Sequence, residues 1–490
     1  MSDNDIAMYV GYKGFSIYKN NISVEEEQML RKELNVKPFV PKSSLIKPQA
    51  FPVYRESSKK IYVPRFYGLE VYGEADEMRI EDGKKINLTF KGELRPKQKP
   101  VVEKYMKHIK NNHSGLLALH TGFGKTCLAL NIISRINQKT LIIVHKEFLL
   151  RQWIERIEQF LPDARVGRIQ AKTIDTEDKD IVICMLQSLS MKDYPKDMFK
   201  EYGLSIYDEC HHLSAEVFSR AFFKVVTKYG LGLSATMKRK DGLTKVLKWF
   251  LGPIVCKIER KGEDNVLVKV INYETNDEDF NRVERDYRGQ VKYTTMVKKL
   301  CEFNRRSEFI LKVLSNLLKK NRDQQIMILG HQKKLLKYLH DAIKHRTIAT
   351  VGYYIGGMKE EDLKKTEGKK VVIATYAMAE EGLDIKTLST LIMATPKVDV
   401  TQSVGRILRK KHKEAIVVDI VDSHSLFQRH FAKRKTFYRK SKFKIEQTDM
   451  EGYEKDDWDV IYDPVNKIKK AFEKKVKKDE LLQGVCLITD

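Results

Sequence analysis

Between about residues 91 and 255, short apolar runs alternate with segments of helical periodicity. The runs read GLLALH, TLIIVH, DIVICM, LSIYDE and YGLGLSAT, and their alternation with helices predicts a parallel sheet wrapped on both faces. A less regular connecting segment, 257–300, follows. The pattern then returns between about 301 and 425 as QQIMILG, TIATVGYYIGG, KKVVIATY, STLIMAT and EAIVVDIVD, predicting a second α/β unit in tandem. Residues 1–90 differ. There aromatic and polar residues alternate in strand-like runs (MYVGYKGFSIY, KKIYVPRFYGLEVYG, KINLTF) around one helix, which begins at SVEEEQMLRKEL with Ser23 and Glu26 at capping-box spacing. A small α+β module is predicted. It suits nucleic-acid or partner binding, although its aromatics equally suit a core.

Composition adds a partner class. The chain of 490 residues is too long for one ordinary domain, and its 91 Lys and Arg against 66 Asp and Glu give a net charge of +25. An excess of that size attracts polyanions at long range, so nucleic acid is the expected partner. No run of 18 apolar residues occurs, and MSDNDIAMYVGYKG lacks the basic start and apolar core of a secretory signal, so no membrane role is expected. The six cysteines (Cys127, Cys184, Cys210, Cys256, Cys301, Cys486) form no CxxC pair, which points to a reducing compartment. The end of the chain, 426–490, is expected to be a charged tail: positions 429–444 hold eight Lys or Arg and no acid, and 446–463 hold eight acids. In RHFAKRKTFYRKSKFK, Phe431, Phe437 and Tyr438 interleave with the cations, a pattern suited to nucleic acid or a partner.

Two stretches carry chemistry. LLALHTGFGKTCLAL runs a strand into a glycine turn and then a helix, the setting of a phosphate-binding loop. Gly122 and Gly124 let backbone N–H groups face a polyphosphate, Lys125 would reach the β and γ phosphates, and Thr126 would hold Mg²⁺. The first glycine of the usual loop is replaced by Leu119. In LSIYDECHH, a strand ends at Asp208 and Glu209, so both carboxylates reach the sheet edge where α/β proteins bind ligands. Asp208 would complete the Mg²⁺ shell and Glu209 would polarise an attacking water. Cys210, His211 and His212 are contiguous and have no second ligand pair nearby, so zinc is disfavoured.

HTGFGKT and DECH resemble motifs I and II of the superfamily 2 helicases, and further motifs occur in the same order. LRPKQKP resembles the Q-type element, in which Arg95 and Gln98 would bind the nucleotide, Gln98 at the adenine edge. LIIVHKEFLLRQW and LQSLS resemble motifs Ia and Ib, whose Lys146, Gln187 and Ser188 would touch nucleic acid. Ser234, Ala235 and Thr236 stand in the place of motif III, which couples hydrolysis to movement. IMILGHQKKLLKYL, IATYAMAEEGLDI and QSVGRILR resemble motifs IV, V and VI. By that likeness His331 and Thr375 would contact nucleic acid, and Gly382, Asp384 and Gln402 would contact the nucleotide. Arg406 and Arg409 would stabilise the transferring phosphoryl group across the cleft. His120, Thr121, Phe123 and His211 complete the nucleotide set.

Within the superfamily the chain is similar to the XPB-like group, which includes phage recombination helicases and the poxvirus-type transcript-release helicases of large cytoplasmic DNA viruses. TMKRKDG resembles the Arg-Glu-Asp element of that group, with Arg239 and Asp241 matching and Lys240 departing. The resemblance implies an α/β fold of two RecA-like domains, 91–256 and 301–425, with an N-terminal α+β module and a basic C-terminal tail. It implies ATP and Mg²⁺ as cofactors, with Thr126 and Asp208 on the metal, and DNA as the favoured substrate. RNA, or an RNA–DNA hybrid, stays open. RNA polymerase or transcription factors are candidate partners, and the implied location is cytoplasmic, at a viral replication site or in the virion. Cys210 stands where DEAD-box RNA helicases carry alanine, which ranks an RNA helicase second. A non-catalytic tethering subunit of a transcription assembly is the alternative of another class.

Overall fold

The computed structural model describes the chain except residues 1–6, 40–47, 196, 211–215, 236, 238–240, 260–264, 382–384, 409, 411 and 466–490. It divides into two compact units, Met1–Glu259 and Arg260–Asp490. In the first, an eight-stranded sheet runs in the order Thr173–Asp175, Val166–Gln170, Ile181–Met185, Thr140–Val144, Leu204–Asp208, Tyr229–Ser234, Ser114–Leu119, Ile254–Ile258. Every pairing is parallel except the edge hairpin of Val166–Gln170 with Thr173–Asp175. Ser114–Leu119, Thr140–Val144 and Leu204–Asp208 are buried along their whole length. Helices cover both faces of such a sheet, which is why these strands are uninterrupted apolar runs.

The N-terminal residues form a five-stranded sheet in the order Arg55–Glu56, Lys60–Val63, Gly14–Tyr18, Met8–Gly11, Glu77–Met78. Helix Val24–Glu33 starts at Ser23, whose hydroxyl accepts the Glu26 N–H at 3.1 Å, the bond that the capping-box spacing predicts. Two expectations are corrected. The stretch KKIYVPRFYGLEVYG is only partly strand, because Pro64 ends Lys60–Val63 and opens a second helix, Arg65–Tyr72. KINLTF makes no strand; Leu88 is buried in the core of the large sheet, and Phe90 stacks on Phe160 at 5.4 Å.

The second unit has its own eight-stranded sheet: Val351–Tyr354, Val371–Thr375, Gln325–Gly330, Leu388–Met393, Ala415–Asp422, Val266–Tyr273, Lys444–Thr448, Asp459–Tyr462. Two predicted irregular segments belong to it. Val266–Tyr273, expected within a connecting segment, is an interior strand paired in parallel on both sides. The expected charged tail supplies helix Ser425–Lys440 and the last two strands.

That helix also corrects the reading of its aromatics. Phe427, Phe431, Arg434 and Tyr438 recur at helical spacing and are all buried, while most of the cations face outward. Arg434 is 1% exposed and grips Asp419 through two bonds of 2.8 Å, the Tyr438 hydroxyl donates to the same carboxylate at 2.9 Å, and Arg434 Nη1 donates to Lys397 O. A second fork, Arg306 on Asp422 at 2.6 and 3.0 Å, is fully buried beside it in the same sheet. Both pairs anchor helices to Ala415–Asp422, one at its middle and one at its end. Replacing Arg434 with Met should destabilise this unit by about 3–5 kcal/mol, because Asp419 keeps its burial and loses its counter-charge. Chemical denaturation checks this; an unchanged unfolding midpoint would contradict the role of the pair.

Candidate nucleotide site

Parallel strands point their C-terminal ends at one edge, and at this edge of the first unit Ser114–Leu119 and Leu204–Asp208 deliver the predicted loop and carboxylates. The loop turns through Gly122 at φ +84° and Gly124 at φ +90°, left-handed conformations that glycine adopts without a steric penalty. Gly124 caps helix Lys125–Ile136 directly. The first N–H groups of this helix have no intrahelical acceptor, so the loop and helix together present donors to an anion.

The loop is held from below. Gln98, 2% exposed, donates through Nε2 to Phe123 O at 2.9 Å and to Gly124 O at 3.3 Å, and its Oε1 accepts the Arg95 N–H at 2.9 Å. A Cβ on Gly124 would lie 2.5 Å from that Nε2. Arg95 Nη1 reaches Gly122 O at 3.4 Å. Gln98, expected at the adenine edge, has its amide bonded to the loop backbone and so ties that edge to the phosphate loop. His120 accompanies it, edge-on to the buried Phe123 at 5.5 Å and bonded through Nδ1 to Thr121 O at 2.8 Å.

Across from the loop, Lys125 Nζ donates to Glu209 Oε1 at 2.6 Å. Asp208 is 9% exposed; its Oδ2 accepts the Trp153 indole N–H at 2.9 Å and its Oδ1 accepts the Glu209 backbone N–H at 3.0 Å. Burial raises the Asp208 pKa, the Glu209 charge raises it further, and Lys125 and the Trp153 hydrogen bond oppose the shift. Glu209 has φ +47°, a left-handed conformation that costs a non-glycine residue roughly 1–2 kcal/mol. Such strain concentrates at functional sites. Thr126, one residue into the helix, and Asp208 are hard oxygen donors, and so few protein ligands fit Mg²⁺ that arrives on a nucleotide. Among the described residues no group of three or more His, Cys, Asp or Glu side chains gathers as a metal cage.

Cys210 faces the core, fully buried, and burial pushes its thiol pKa well up, so it behaves as packing. His211, Thr236, Arg239, Gly382, Asp384 and Arg409 lie outside the described residues. Ser234 ends the strand beside Leu204–Asp208, with Leu233 level with Asp208, and Ala235 follows it. Lys146 caps helix Glu147–Phe160, and the exposed Gln187 donates to His145 O at 2.7 Å. Ser188 is buried, and its hydroxyl accepts the Ala171 N–H at 2.9 Å. Asp241 Oδ1 accepts the Leu243 N–H.

In the second unit Thr375 ends its strand, and Gln402 and the buried Arg406 lie on helix Thr401–Arg406. There His331 meets Thr395 Oγ1 through its backbone N–H at 3.1 Å and its ring Nδ1 at 2.7 Å, and Tyr376 donates to Thr395 O at 2.6 Å.

Two residues near the carboxylates were not singled out from the sequence. Trp153 lies 1% exposed on helix Glu147–Phe160, and His145 ends in a buried position where burial and Lys146 lower its imidazole pKa. Both sit inside the motif Ia stretch, which offers sequence likeness but no sign of their contacts. Trp153→Phe keeps the ring and removes the donor to Asp208, so it should cost about 1–3 kcal/mol of stability. It should also raise the Mg²⁺ concentration needed for nucleotide binding, as read by thermal melting and a Mg²⁺ titration of a fluorescent nucleotide. A variant with wild-type values in both would deny the indole its positioning role.

Comparison with known proteins places this geometry. Residues 91–239 match the family model described as the res subunit of type III restriction enzymes, and 310–411 match the helicase conserved C-terminal domain. A protein of Acanthamoeba polyphaga mimivirus, whose name describes an ATP-dependent RNA helicase, is 35% identical over 465 residues, covering 91% of this chain and 87% of the relative. A protein of invertebrate iridescent virus 6, named as a helicase, is 28% identical over 378 residues, 72% of this chain and 83% of the relative. The structure of Mycobacterium smegmatis helicase Lhr bound to ssDNA and AMP-PNP shares the fold at a TM-score of 0.50 and 17% identity, over 70% of this chain and 48% of that one. With a relative this similar over most of both lengths, the chain belongs to the superfamily 2 helicases, ATP-hydrolysing enzymes that act on nucleic acid.

Proposed function

We propose that this helicase is a DNA motor, which hydrolyses ATP at the 120–126 loop and works in viral transcription, by freeing transcripts, or in recombination. The observation that carries the site assignment is the contact of Lys125 with Glu209 at the strand edge, beside a Trp153-held Asp208. Lys125 exchanges Glu209 for the β and γ phosphates when nucleotide enters, which frees the Glu209 carboxylate to orient and deprotonate the attacking water. Thr126 and Asp208 would hold the Mg²⁺ that comes with the nucleotide, and that ion would neutralise phosphate charge. The N–H groups of 122–126 would cradle the phosphate oxygens, and Arg406, with Gln402 and Arg409, is assigned to the charge that spreads onto the transferred phosphoryl group. Lys146, Gln187, His331, Thr375, Arg239 and Asp241 are assigned to the nucleic-acid track.

The net charge of +25 supports a polyanionic track, and backbone contacts make it independent of sequence. Cys210 and the 236–242 element support DNA. An RNA helicase is the second reading, because the mimivirus relative bears that name. ATPase turnover with single-stranded DNA, duplex DNA, RNA and RNA–DNA hybrid separates them. DNA should stimulate the wild type most; stimulation by RNA alone would transfer the assignment to the second reading. Lys125→Ala should abolish turnover while nucleic-acid binding persists. Arg406→Ala should lower kcat by roughly 10³-fold or more with little change in nucleotide affinity. Full turnover in either variant would remove the residue from the site.

A further inference from the structure

A groove of about 570 Å³ opens between helix Val24–Glu33 of the N-terminal module and the start of helix Thr244–Leu251. Its lining is unusual. Lys32, Lys37 and Lys245 are exposed and carry no ion pair among the described residues; only the Trp249 ring, 4.7 Å from Lys245 Nζ, attends one of them. The acids beside them are engaged: Glu33 accepts the Tyr67 hydroxyl at 2.8 Å, and Asp241 accepts the Leu243 N–H. Met29 and Phe39 stand 70% and 68% exposed in the same groove, although both are large and apolar.

The walls are fixed to each other. Phe39 N–H donates to Asp241 O at 2.9 Å, and Leu30, Leu34 and Val36 of one wall share a core with Leu243, Val246 and Trp249 of the other. The groove is therefore preformed, and little ordering cost falls on whatever binds there. Three ammonium groups without ion pairs among the described residues call for phosphates, and an exposed phenyl ring in the same groove calls for an unpaired base to stack on. A volume of this size lies within the roughly 300–1,000 Å³ of ligand clefts.

We infer that this groove binds single-stranded nucleic acid, the three lysines holding phosphates and Phe39 stacking on a base, so that the N-terminal module grips the strand on which the motor works. The inference rests on the proposed function above, which already places Asp241 at the edge of this groove, and adds to it Lys32, Lys37, Lys245 and Phe39, which no motif contains.

The test uses the full chain and a fluorescent single-stranded oligonucleotide titrated across a salt series, with melting curves confirming that each variant is folded. The triple variant K32A/K37A/K245A should bind at least about tenfold more weakly at low salt and lose about 2 from the slope of log K against log salt, since each single-strand phosphate contributes roughly 0.7. Phe39→Ala should weaken single-strand binding roughly tenfold with the slope unchanged, and affect duplex little. Wild-type affinity and slope in the triple variant would overturn the site. Equal losses on single strand and duplex for Phe39→Ala would overturn the stacking assignment in favour of a duplex contact. A wild type that binds no nucleic acid would instead sink the proposed function.

Discussion

The site depends on keeping Asp208 as a hydrogen-bonded carboxylate in a place that disfavours its charge. Burial and the neighbouring Glu209 both push its proton affinity up, and two donors hold it in one orientation. A buried charge is tolerated only when it is paired and bonded. The sheet solves this by geometry: the strand end presents Asp208, the parallel strand two places away leads into the phosphate loop, the adjacent strand Thr140–Val144 leads to helix Glu147–Phe160, and that helix aims an indole N–H at the carboxylate. Lys125 then answers the adjacent charge of Glu209. Each partner comes from a different element, so the site exists only when the sheet is assembled.

The second unit obeys the same constraint with different chemistry. Ala415–Asp422 carries two buried carboxylates, and each is matched by a forked guanidinium from a flanking helix, where planar bidentate geometry satisfies both oxygens at once. These forks explain why Ser425–Lys440, so basic in sequence, is an integral helix. One arginine and three aromatics point inward, and the remaining cations stay in water.

What the sequence disclosed and what it hid follow from the range of the interactions. Fully buried strands leave apolar runs, and a glycine turn before a helix leaves a local signature, so the sheets, the loop and the Asp208–Glu209 edge were legible. Contacts between residues distant in sequence leave no such trace. Gln98 lies 25 residues before its Phe123 carbonyl partner, and Trp153 lies 55 before Asp208. Neither pairing has a periodicity to read. Charge misled in the opposite way: a block of Lys and Arg reads as a solvated tail until the helical spacing of Phe427, Phe431 and Tyr438 is weighed against it. Val266–Tyr273 was missed because it stands apart in the chain from the alternating pattern that surrounds it in the sheet.

The N-terminal module follows from the same logic of shared burial. Its Leu30, Leu34, Val36 and Tyr67 pack in one cluster with Val246 and Trp249 of the helix that succeeds the Ser234 strand, and Arg65 donates to Lys228 O at the start of that strand. A domain that shares its core cannot move freely against its neighbour. The strand in question runs beside Leu204–Asp208 in register, Leu233 against Asp208. Whatever load the module bears is therefore carried by rigid packing to the strand next to Asp208, without passing through a flexible linker.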